Sequence, residues 1–276
     1  MPFFKNPSKP SYKLIVDFTN QSNSNVAELI NLLKMMKNPR ATFVADHLEQ
    51  LEAEYKNSKI FMANVDAFST LIKEAQTLSS NLSKFEKDRP DSKLHFSMVA
   101  LIIIQAANYT SLIMKEEAFA LRSDYAKDAK IITNVLTAAN TLMTSPSVKN
   151  INATLNSLDK LYKYQANHKS AFAKFAYNVA SGALLITALV LNLAGAKKTS
   201  IKVAEKSIKL FVNGFLPKLT EFNYYHKNQV DNYDLYRELK KHVPKNGTKQ
   251  AVLFDKLLTD GSAEHNVKSS ASAKPR

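Results

Sequence analysis

The 276-residue chain has no cysteine and no tryptophan, and only five glycines. Without cysteine it can have no disulfide, no thiolate nucleophile and no cysteine-ligated zinc or iron centre. The glycines, Gly182, Gly195, Gly214, Gly247 and Gly261, are 13 or more residues apart. A Walker loop, a dinucleotide GxGxxG turn and a GxSxG nucleophile elbow each need at least two glycines close together, so all three are excluded. Scarce glycine also provides poorly for β-hairpins. No leader is expected either, since the apolar run Leu14-Ile15-Val16 before Asp17 is too short for a secretory h-region. The expectation is synthesis in the cytoplasm without a signal peptide.

Metal and acid–base motifs are also lacking. A carboxylate-bridged helical metal site needs Glu three residues before His, but the residues preceding the six histidines at that spacing are Val44, Ser92, Gln165, Asn223, Leu239 and Ser262. There is no HExxH and no EF-hand loop. Asp46-His47 and Glu116-Glu117 read as exposed polar faces. Asp128, on an otherwise apolar row, is expected to make a register-setting contact with a lysine or tyrosine. No cofactor, metal or catalytic residue is assigned, and the chain is read as non-enzymatic.

What the chain has in quantity is helix-forming residues and positive charge. Hydrophobic content of 45% suffices for a substantial core. From Lys59 the residues Phe61, Phe68, Ala75 and Leu82 recur every seven positions, with Leu71, Leu78 and Phe85 as companion row. Ala118, Tyr125, Ile132 and Ala139 repeat the pattern beside Leu121, Asp128, Val135 and Leu142; so do Ile201, Ile208, Phe215 and Phe222 beside Ala204 and Phe211. Such double rows are coiled-coil seams. The predicted fold is all-α: an elongated antiparallel bundle of about four long heptad-patterned helices over 59–87, 92–144, 147–196 and 198–242. Helices of 40 to 50 residues would be about 60 to 75 Å long. Two shorter helices precede them, broken at Asn38-Pro39, and one follows over 249–258. Pro217 is expected to kink the fourth long helix. The domain organisation is an extended N-terminal arm over 1–22, with a short strand at 12–18, the bundle over 23–259, and a disordered basic tail over 260–276.

Two stretches, 94–114 and 175–196, carry no charged residue over about the length of a bilayer span. The second is the more apolar. Val179, Leu184, Leu185, Ile186, Leu189, Val190, Leu191 and Leu193 are its membrane-contact candidates, together contributing about −2 to −5 kcal/mol to insertion. Asn178, Ser181, Gly182, Thr187 and Asn192 erode that gain, so insertion is marginal and buried core is the competing reading. The flanking basic residues Lys174, Lys197 and Lys198, with the stripe Lys202, Lys206 and Lys209, are candidates for an anionic surface. Tyr224, Tyr225, Tyr233, Tyr236 and Arg237 are candidates for an interaction surface.

The formal net charge is +14, yet only five of the 38 basic residues are arginine. Nucleic-acid recognition leans on arginine's planar fork, so nucleic acid is disfavoured. The expected partners are an anionic membrane or a protein, with self-association through the helical seams as a further mode. In architecture alone, a leaderless rod of long helices with internal uncharged stretches resembles the α-helical pore-forming toxins of the cytolysin A class. It lacks their glycine-rich tongue. It is similar in kind to leaderless bacterial effectors whose hydrophilic C-terminal tails act as export signals. The resemblance implies membrane association or conditional insertion, and export by a leaderless route. A soluble coiled-coil scaffold is the alternative.

Overall fold

The computed structural model describes residues 25–35, 37, 39–87, 106, 113–114, 116–165, 171–193, 202–207 and 233–259. All regular structure among the described residues is helical, with no strand, so the chain is all-α. The expected arm and its strand, the break at 88–91, the Pro217 kink and the tail from 260 lie outside the described residues, as does most of 94–114.

Local chemistry sets the helix boundaries. Helix α1, Asn25–Met35, is followed by Lys37 at φ 48°, a left-handed position where the chain leaves the helix. Helix α2, Pro39–Tyr55, opens on the proline, whose missing N–H is an unpaired position in any first turn. Ser58 caps α3, Lys59–Lys87: its Oγ accepts the Phe61 N–H at 3.3 Å and its carbonyl accepts the Met62 N–H at 3.1 Å. After the short α4, Ala118–Leu121, helix α5 covers Asp124–Thr144 and stops before Pro146. Helix α6, Val148–Gln165, is capped by the Ser147 Oγ, which accepts the Asn150 N–H at 3.2 Å. Helix α7 is Ala171–Leu193. The remaining described helical segments are α8 (202–207), α9 (233–242) and α10 (249–259).

The core centres on α3 and α5, which share the most extensive interface. Phe61, Phe68, Leu71, Ala75, Leu78 and Leu82 from α3, and Tyr125, Ile132, Val135, Ala139 and Leu142 from α5, are all buried. Phe119 lies between them at one end, with its ring edge-on to Phe61 and Phe68 and stacked on Tyr125, at centroid distances of 6.2, 5.6 and 6.1 Å. Alongside, α1 is pinned to α3 by Lys73–Glu28 and to α2 by Lys34–Glu49, each at 2.6 Å.

Two expected rods are corrected. The first, 92–144, is interrupted at Arg122, whose backbone is extended (φ −98°, ψ 122°). Buried Asn64 bridges the break, its Nδ2 donating to the carbonyls of Phe119 and, at 2.9 Å, Arg122. Across the break the Arg122 guanidinium closes a two-pronged contact on Asp124 (2.6 and 3.1 Å), which an uninterrupted helix would not form at that spacing. Leu121, in line with the buried row, is therefore 58% exposed.

The direction of packing changes with it. Near its start α3 meets Phe119 and Arg122, and farther along Asn140 donates to the Glu74 carboxylate at 2.8 Å and accepts from Asn81 at 3.3 Å. Hence α3 and α5 run parallel and not antiparallel. Helix α6 does run antiparallel to α5, since Thr154 reaches the Ala138 carbonyl at 3.2 Å and Tyr164 reaches Asp128.

The second rod, 147–196, is two helices, α6 and α7, packed against each other and both against α5. Stacked end to end on one axis, they could not touch. The sequence between them, Ala166-Asn167-His168-Lys169-Ser170, contains no large apolar side chain.

Asn64 tests the break at Arg122. Asn64→Ala leaves two carbonyls without their donor and should lower the unfolding free energy by about 1–3 kcal/mol, read as a fall in urea midpoint at constant slope. Asn64→Leu should not restore the midpoint.

Candidate functional site

The most distinctive element is α7. Ala183, Leu184, Leu185, Ile186, Thr187 and Ala188 are consecutive and all at most 2% exposed. Six positions at 100° per residue pass more than once around the helix, so α7 is covered on every side at its centre. Phe175, Ala176, Val179, Ala180, Val190 and Leu191 are buried as well, and Leu189 packs partly buried against the core. The polar residues are accommodated inside: Asn178 and Ser181 are buried, and the Thr187 hydroxyl donates to the Ala183 carbonyl at 2.7 Å. Among the described residues no helix is long and apolar enough to cross a membrane. Seven of the eight membrane-contact candidates thus lie within the fold, and the side chain of Leu193 is outside the described set.

The other candidates are scattered. Lys202 and Lys206 are exposed on α8, whose Val203 and Ser207 face inward. Lys197, Lys198, Lys209, Tyr224 and Tyr225, and the side chain of Lys174, lie outside the described residues. Tyr233 and Arg237 are at the surface of α9, but Tyr236 is buried.

Helix α9 lies antiparallel on α6. Tyr233 packs edge-on against Tyr162 at 5.6 Å, and Tyr236 lies 5.6 Å from Tyr162 and 5.7 Å from Tyr233. This tyrosine cluster backs an open groove of about 320 Å³ lined by Asp159, Tyr233, Tyr236, Arg237, Lys240 and Lys241. Two of its four charged groups, Asp159 and Lys241, are paired with an opposite charge. Asp159 accepts from Lys163 at 2.7 Å and from the Tyr236 hydroxyl at 3.3 Å, and Lys240 donates to that hydroxyl at 2.9 Å while lying over the ring. Glu238 pairs with Lys241 and His242 at 3.5 and 3.4 Å. The Lys163 hydrogen bond holds the Asp159 carboxyl below its ordinary range, and burial raises the Tyr236 phenol. The groove has the character of a contact surface, with Asp159, Tyr236 and Lys240 bonded to one another or to Lys163.

Asp128 is buried on α5 and accepts from the Tyr164 hydroxyl, the tyrosine contact expected of it. Burial and that bond raise the Tyr164 phenol. Tyr125, bonded to Glu116, is likewise pushed up to about 12, first by burial and then by that bond. Both phenols are therefore neutral donors at physiological pH. Among the described residues no three His, Asp or Glu side chains converge as a metal site would require.

Sequence reasoning overlooked the outer face of α10, where Val252, Leu253 and Leu257 are exposed. The signal was present in apolar residues on both sides of a short helix that can bury only one. Comparison with protein-family models, curated proteins and solved structures found no match for the chain.

Asp159 yields a pH test. Its carboxyl is lowered in the folded chain, so the stability it contributes is complete above the ordinary carboxylate pKa and is lost as pH falls through the lowered value. Lys163→Met should raise the Asp159 titration midpoint toward the ordinary range, measured by carboxyl-carbon NMR, and should shrink the drop in thermal midpoint on acidification.

Proposed function

We propose that this is a non-enzymatic helical-bundle protein that acts by contact with anionic membranes, its α7 helix kept in the core and released into lipid conditionally. The observation that carries the reading is the burial of α7 on every side. A helix apolar around its whole circumference has two stable settings, the interior of a protein and the interior of a bilayer. This chain provides the first, with α5 and α6, each with one apolar face, packed against α7. In the bilayer α7 would gain only the few kcal/mol its aliphatic residues supply, less the cost of Asn178, Ser181 and Thr187. So narrow a margin suits a helix that inserts after the bundle opens and not one that spans a membrane constitutively.

The charge of the chain supports the same reading. A net +14 carried mostly by lysine draws the protein toward anionic lipid, and Lys202 and Lys206 stand exposed within reach of solvent. The heptad rows of α3 and α5 we take as a coiled-coil-type seam that belongs to an elongated bundle and holds while α7 departs. The second reading, a soluble scaffold or protein-interaction module, is favoured by the tyrosine-backed groove between α6 and α9.

Flotation of the full chain with phosphatidylserine-containing vesicles, followed by a carbonate wash, separates the two. Membrane action requires salt-sensitive flotation with a carbonate-resistant fraction, and Leu185→Lys combined with Leu189→Lys should abolish that fraction. Failure to float under any condition, with a sedimentation mass that instead rises with protein concentration, would establish the scaffold.

A further inference from the structure

Helix α10 presents an outer face that the fold does not cover. Its inner side is anchored: Ala251 and Leu258 are buried and Phe254 packs against the core. On the outer side Val252, Leu253 and Leu257 are 67%, 63% and 51% exposed. At 100° per residue, Lys249 and Lys256 project between Val252 on one flank and Leu253 with Leu257 on the other, and both lysines are exposed. The single carboxylate of α10, Asp255, points inward, its Oδ1 accepting the Val148 N–H at 2.6 Å at the start of α6. The outward face therefore has three large apolar side chains, two ammonium groups and no acid, and Lys245 is exposed in the preceding loop.

This face is held firmly in position. The Thr248 Oγ1 caps α10 by accepting the Ala251 N–H at 3.2 Å, and the Asn152 side chain on α6 donates to the Pro244 carbonyl and to the Asn246 Oδ1, each at 3.0 Å. Gly247, at φ +79°, makes the turn between them.

We propose that the outer face of α10 is a peripheral docking site for an anionic lipid surface. Val252, Leu253 and Leu257 enter the boundary between headgroups and acyl chains, and Lys245, Lys249 and Lys256 meet the phosphates and carboxylates of the headgroups. The arrangement differs from an interfacial helix with separate apolar and basic faces: the two lysines stand between the aliphatic anchors, so their stems lie along the apolar side chains while their ammonium groups reach back to the headgroups. Charge complementarity favours lipid over a second copy of the chain, because a symmetric contact through this face would bring Lys249 and Lys256 of both copies together. The inference rests on the membrane-acting reading above. It differs in step: docking by α10 is reversible and leaves the core intact, whereas insertion of α7 is not extracted by carbonate.

The test is partition of the full chain onto phosphatidylcholine vesicles with and without phosphatidylserine, read by flotation, with carbonate resistance scored separately. Two exposed-face variants are compared with the parent: Val252→Ser with Leu253→Ser and Leu257→Ser, and Lys249→Gln with Lys256→Gln. Each should lower partition onto the anionic vesicles about tenfold or more, with helical content by circular dichroism unchanged. Should the serine variant lose helix, the lysine variant decides alone. Partition equal to that of the parent in the folded variants overturns the docking site, even if a carbonate-resistant fraction persists and upholds α7 insertion. Loss of flotation in the variants when the parent is fully carbonate-extractable upholds the docking site and removes the insertion. A parent that floats with no vesicle overturns both. A parent dimer that the serine variant converts to monomer, with lipid partition unchanged, assigns the face to a second copy and overturns the proposal.

Discussion

The enclosure of α7 is the constraint on which the rest of this structure depends. A helix with no charged residue from Phe175 to Leu193 cannot present a side to water without exposing a large apolar surface, so its neighbours must be amphipathic and must surround it. Helices α5 and α6 supply part of that cover with buried faces of Ile132, Val135, Leu136, Leu155, Leu158 and Leu161. The parallel pairing of α3 with α5 then builds the remaining core, and the aromatic cluster around Phe119 closes one end. Buried polar residues select among the packings that hydrophobicity alone would allow: Asn140 between α3 and α5, Asn64 at the Arg122 break, and Asp128 beneath Tyr164 each bind particular partners at one place.

Much of the helical content was legible in the sequence, because α3 and α6 begin where Ser58 and Ser147 cap them and α5 ends just before Pro146. The rows Phe61 to Leu82 and Tyr125 to Leu142 also pointed to buried positions. What periodicity could not reveal was chain direction. Ala118 and Tyr125 keep sevenfold spacing across the Arg122 break, so the pattern reads straight through a point where the backbone is extended, and only the exposure of Leu121 betrays it. The separation of α6 from α7 was obscured differently, since residues 165–170 contain no proline or glycine to mark a turn.

The candidate surfaces were read with uneven success for similar reasons. An uncharged run identifies α7 as special without saying whether protein or lipid surrounds it, as both are apolar. Tyr236 resembled its surface neighbours Tyr233 and Arg237 in sequence, but its position against Tyr162 turns it into the core. The outer face of α10 went unnoticed because its Ala251 and Leu258 satisfy an ordinary amphipathic pattern, and the excess apolar residues stand out only once the inner face is known. In the proposed sequence of events these two helices divide the work: one meets lipid from outside, the other waits inside.

Amide hydrogen exchange across residues 175–191, with and without anionic vesicles, tests the central claim most directly. In water these amides should be among the slowest in the chain. With vesicles they should stay protected while amides of α5 and α6, which lose their contact with α7, exchange faster. Exchange of 175–191 in water as fast as that of the exposed α10 segment, or an unchanged pattern in α5 and α6 when the chain is bound to lipid, would contradict the account.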